Sequence, residues 1–180
     1  ENKGTLIIVD TKGEGSWAHG ASPSWIYDGS GSYVGSYVSN FITNRGNLYL
    51  NGGKLEILSS GSASYVADNF ENSKITINGG IFNAASTAFR LFYGTVEMTV
   101  NGGIFTAGGY DIAQFTGNGS ANNLIINGGE FTSEDTDFNV YSWGETEGNH
   151  STLKVTGGTF NQWVALSSKF NQIGNSVSGG

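Results

Sequence analysis

The 180-residue chain has no cysteine, one proline, one methionine, and only 8 Lys plus Arg against 15 Asp plus Glu. Without cysteine there is no disulfide, thiolate metal ligand or thiol nucleophile. Exported proteins often avoid cysteine too, so its absence does not fix a compartment. The net charge of −7 argues against nucleic acid or an anionic membrane surface as partner, since either would be repelled. No apolar run approaches the roughly 20 residues of a membrane-spanning helix, and no membrane insertion is expected. The opening Glu1-Asn2-Lys3 does not look like a signal peptide, which gives the expectation of a mature form or an excised module. Glycine is in excess: 29 residues, against a share of roughly 7 % in an average protein.

Much of that glycine belongs to a repeat. Leu48-Tyr49-Leu50-Asn51-Gly52-Gly53-Lys54-Leu55 is followed by Ile75-Thr76-Ile77-Asn78-Gly79-Gly80-Ile81-Phe82 and Met98-Thr99-Val100-Asn101-Gly102-Gly103-Ile104-Phe105. Leu124-Ile125-Ile126-Asn127-Gly128-Gly129-Glu130-Phe131 and Leu153-Lys154-Val155-Thr156-Gly157-Gly158-Thr159-Phe160 continue it. Counted from the Asn or Thr, successive units lie 27, 23, 26 and 29 residues apart. A fixed motif with connections of varying length is the mark of a solenoid. Each unit also carries a third apolar stretch: Tyr65-Ala67, Ala88-Phe92, Tyr110-Phe115, Phe138-Tyr141 and Trp163-Leu166. Three short strands per turn follow, with Ile75, Ile77 and Phe82 on one face and Thr76 and Ile81 on the other.

Asn-Gly between alternating strands is also the strongest local signal for an antiparallel hairpin, so a meander or sandwich is the competing architecture. It gives no reason for a third strand in every unit, nor for a spacing shorter than a propeller blade of roughly 40 residues. In the parallel arrangement Asn51, Asn78, Asn101, Asn127 and Thr156 stack at one corner, their side chains bonding coil to coil while the glycines make the bend. Asp10, after Leu6-Ile7-Ile8-Val9, and Ser178, in Val177-Ser178-Gly179-Gly180, extend that ladder by analogy.

The repeated Ile-x-Ile-Asn-Gly-Gly-x-Phe resembles the coils of right-handed parallel β-helix proteins, the pectate-lyase-like superfamily, and most of all the glycine-rich coils of bacterial exported and surface proteins. The resemblance covers nearly the whole chain. It implies an all-β, single-stranded right-handed parallel β-helix of about six coils, forming one domain over residues 1–180. It does not select a function, because that scaffold hosts lyases, hydrolases, tailspikes, adhesins and structural proteins.

Asp10 and Asn51 are 41 positions apart, roughly 15 more than one coil needs. The excess is read as an aromatic, Gly/Ser-rich loop over residues 11–36, holding Trp17, His19, Pro23, Trp25, Tyr27 and Tyr33. Trp17, Trp25, Tyr27 and Tyr33 are the ligand- or protein-contact candidates, as rigid rings offer contact area at small entropic cost. Covering the end of the solenoid is the structural alternative for the same loop. At the other end, Val177-Gly180 echoes Val155-Gly158 at an offset of 22, an expected unfinished rung open to pairing with another chain.

Catalytic signals are sparse. Enzymes of the resembled scaffold set acidic clusters beside basic residues on one strand face, whereas the 6 aspartates here are scattered and Arg45 and Arg90 are the only arginines. The densest acidic group is Glu134, Asp135, Asp137, Glu145 and Glu147, whose spacing fits neither an EF-hand nor a glycine-aspartate nonapeptide, so a solvated loop is favoured over calcium. The outward positions Tyr49, Thr76, Thr99, Ile125 and Lys154 do not form the uniform Thr array of an ice-binding face. Asn118-Gly119-Ser120 and Asn149-His150-Ser151 are glycosylation sequons. The expectation is an extracellular or cell-surface structural or adhesive protein without cofactor, metal or catalytic residues. Its partners would be copies of itself stacked end to end or other domains of a longer surface protein. A carbohydrate-binding or polysaccharide-degrading module, with a glycan as partner, is the alternative.

Overall fold

A computed structural model describes residues 5–8, 16–20, 25–27, 33–35, 38–57, 63–69, 72–84, 87–91, 94–108, 113–115, 121–134, 140–142, 151–162 and 176–179. The elements among them are all strands. They run β1 (Thr5–Ile8), β2 (Ser16–Gly20), β3 (Trp25–Tyr27), β4 (Tyr33–Gly35), β5 (Val38–Asn44), β6 (Asn47–Ile57), β7 (Ala63–Asn69), β8 (Lys74–Ala84) and β9 (Thr87–Leu91). The chain continues through β10 (Glu97–Val100), β11 (Ile104–Ala107), β12 (Ala113–Phe115), β13 (Asn123–Ile126), β14 (Glu130–Ser133), β15 (Val140–Ser142), β16 (Thr152–Val155), β17 (Thr159–Phe160) and β18 (Ser176–Gly179).

Pairing between successive repeats is parallel, and the antiparallel meander is not what forms. One row stacks β1, β6, β8, β10, β13, β16 and β18. A second stacks β2, the later half of β6, the later half of β8, β11, β14 and β17. The two rows make one curled sheet, because β6 and β8 pass through the Gly-Gly bend without a break. A separate five-stranded parallel sheet holds β5, β7, β9, β12 and β15. Among the described strands, only β3 and β4 pair antiparallel. The arrangement is all-β with a curled parallel sheet, consistent with a β-solenoid.

Side-chain parity explains the core. Leu48, Ile75, Met98, Leu124 and Leu153 occupy one inward column, and Leu50, Ile77, Val100 and Ile126 the next; all nine are buried. Ile77 and Phe82 both face inward although five positions apart, an odd number that unbroken alternation forbids. The glycine bend absorbs the extra residue. Beyond it Phe82, Phe105, Phe131 and Phe160 stack at centroid separations of 4.9, 4.7 and 4.7 Å, with Phe89 from the other sheet edge-on to Phe82 at 5.6 Å. Each fully buried Leu, Ile or Phe contributes about 1.5–3 kcal/mol.

Two expectations change at the ends. The register sets Ser178 opposite Lys154 and Val177 opposite Leu153, so Ser178 lies two positions short of the corner held by Thr156. A slip of two residues preserves the alternation of the strand, and the four-residue echo could not distinguish the two alignments. Within the stretch read as a loop, Ser16–Gly20 is a strand of the second row, and the aromatic excursion beyond it contains the β3–β4 hairpin.

Candidate functional site

The Asn-Gly-Gly corner is built from three separate demands. The asparagine side chains form a chain of hydrogen bonds that runs one way: Asn78 Nδ2 donates to Asn51 Oδ1 at 2.6 Å, Asn101 to Asn78 at 2.8 Å and Asn127 to Asn101 at 2.9 Å. Thr156 Oγ1 closes it, donating to Asn127 Oδ1 at 2.8 Å. These residues are exposed, and each internal amide spends one N–H and one acceptor site along the axis, leaving one Nδ2 hydrogen facing outward.

The first glycine lies against the preceding rung. A Cβ at Gly128 would stand 2.8 Å from the Asn101 carbonyl oxygen, closer than non-bonded atoms tolerate. The second glycine makes the bend. Gly103 has φ +124°, a conformation L side chains rarely adopt, and its Cβ would come 3.1 Å from the Phe105 ring. The corner at Asn51 departs from this pattern, with Gly53 at φ 81° and register shifts on both sides of Asn51. Accordingly nothing crowds the Cβ position of Gly79.

Stripped of side chains, these corners floor a groove of about 890 Å³ running across five successive repeats. Along one side stands a ridge from the residue after each glycine pair, in the order Lys54, Ile81, Ile104, Glu130 and Thr159. Ile81 and Ile104 are 40 % and 45 % exposed, the two most exposed large apolar side chains among the described residues. The groove therefore has a polarity along its length, cationic at one end, apolar in the middle and anionic beyond.

The structure brings Asn51, Asn78, Asn101, Asn127 and Thr156 together as the sequence implied, while Asp10 lies outside the described residues. Trp17 is at a register irregularity between Ser16 and Ala18 in β2. The hairpin sets Tyr27 opposite Tyr33, with Trp25 two residues along the same strand. Of the acidic group, Glu134 is described and exposed; Asp135, Asp137, Glu145, Glu147 and both sequon asparagines, Asn118 and Asn149, lie outside the described residues. Among the described residues no three His, Asp or Glu side chains converge as metal ligands, and no helix is long and apolar enough to cross a membrane.

The ridge escaped the sequence reading because its residues occupy the variable position of the motif. Reading that column down the five units would have found Lys, Ile, Ile, Glu, Thr. A second asparagine system also went unseen. Asn44, Asn69 and Asn122 are wholly buried where the third-row strands turn into the next repeat. Asn44 Nδ2 donates to Asn69 Oδ1 at 3.0 Å and to the Lys74 carbonyl at 3.1 Å. Asn122 accepts from Val96 N–H and donates to the Leu91 carbonyl, both at 3.1 Å.

Comparison of the chain with protein-family models, with curated proteins and with solved structures gives no match.

Proposed function

We propose that the chain is a non-catalytic structural or adhesive protein of the cell exterior, built as a right-handed parallel β-helix of about six coils and stacking head to tail on copies of itself. The observation that carries this reading is the one-way corner ladder, in which each rung presents acceptors to the next and donors to the last. A rung offered by a second chain would repeat the parallel main-chain pairing that the chain uses between its own rungs. A contact of this kind is heterologous and open-ended, the geometry of a filament. The resemblance of the repeat to coils of bacterial surface proteins supports the handedness and the exterior setting.

Deleting Val177–Gly180, most of β18, tests the contact. Light scattering should report weaker association, with the circular dichroism of the monomer retained. An unchanged association constant contradicts the proposal. A carbohydrate-binding or polysaccharide-degrading module is the second reading, favoured by the hairpin that gathers Trp25, Tyr27 and Tyr33. It requires saturable binding to a polysaccharide that Trp25→Ala abolishes.

A further inference from the structure

The ridge beside the glycine groove is complementary to its own reverse. On four consecutive rungs it reads Lys54, Ile81, Ile104, Glu130. Reversing the row exchanges isoleucine for isoleucine and sets each charge against its opposite. We propose that this face docks a second copy of the chain side by side and antiparallel, about a twofold axis passing between Ile81 and Ile104.

Two observations select that occupant and that orientation. The charges come first: antiparallel docking sets Lys54 of each copy against Glu130 of the other, whereas parallel docking sets Lys against Lys and Glu against Glu, a juxtaposition that disfavours association. Next are the exposed isoleucines. A lone surface apolar residue needs no explanation, but Ile81 and Ile104 are neighbours in register, β-branched, and 40 % and 45 % exposed. An axis through the ridge sets ridge against ridge, so Ile81 and Ile104 of one copy meet those of the other, the self-complementary contact of a closed dimer.

Rungs about 4.8 Å apart put Lys54 and Glu130 roughly 14 Å from one another along the axis, and five rungs of about four residues make a face of about 20 by 13 Å. Such a face is smaller than the roughly 800 Å² per partner of a standard interface. The pair is therefore weak and concentration-dependent. It is independent of head-to-tail stacking, because it closes at two copies while stacking does not.

Sedimentation equilibrium of the full chain over a wide concentration range tests the proposal. Alongside open-ended stacking, the wild type should show a dimerisation step that weakens with salt. Lys54→Glu and Glu130→Lys should each reduce the association constant by at least about tenfold, and the double variant should restore most of it, as like charges become opposite again. Ile81→Asp should abolish the dimer, with circular dichroism checking that each variant is folded. A wild type that stays monomeric throughout, single reversals without effect, or a double variant no better than the singles would each overturn it. Open-ended assembly indifferent to all these substitutions would also overturn it, while leaving head-to-tail stacking in place.

Discussion

Asparagine serves two opposite corners of this molecule under different physical rules. At the glycine corner Asn51, Asn78, Asn101 and Asn127 are exposed and bond mainly to one another. At the corner between the third row and the next repeat, Asn44, Asn69 and Asn122 are buried and bond largely to the main chain. The exposed amides have water as a ready substitute. The buried ones have none, and what they satisfy are peptide groups that irregular connections leave without ladder partners. Position along the repeat therefore decides whether the same side chain links rungs or completes the backbone.

The largest effect expected from this contrast is at Asn122. Asn122→Ala removes the buried side-chain bonds to Val96 N–H and to the Leu91 carbonyl and should lower unfolding free energy by about 3 kcal/mol, read from urea denaturation. Asn101→Ala removes two exposed side-chain bonds and should lower it by only about 1 kcal/mol, because water replaces the lost partners. Equal losses at the two positions would erase the distinction. Ser73 sharpens it from the other side. It shares the register of Asn122 and Ser151, is fully buried, and its hydroxyl has no partner. Ser73→Ala should therefore be neutral or stabilise by up to about 1 kcal/mol.

The exposed corner was legible in the sequence because every demand on it recurs at each rung. A stacked amide, a close carbonyl, a left-handed bend and a ring beneath it require Asn, Gly, Gly and Phe in fixed order. The buried corner was not legible, since its hydrogen-bonding task falls to different residues on successive rungs. Column by column it reads Gly46, Ser73, Val96, Asn122 and Ser151, within connections of unequal length. The ridge was overlooked for a third reason: chemistry that varies along the axis looks like noise when the units are read for what they share. Ser178 shows the limit of parity reasoning, which leaves a two-residue slip of register undetected.

Head-to-tail stacking extends the logic of the exposed corner from one chain to many, and electron microscopy of the purified protein over a range of concentrations tests it most directly. The account predicts filaments with an axial repeat near 34 Å, the seven strands of the first row at roughly 4.8 Å each. Particles that stay dispersed at every concentration would contradict it.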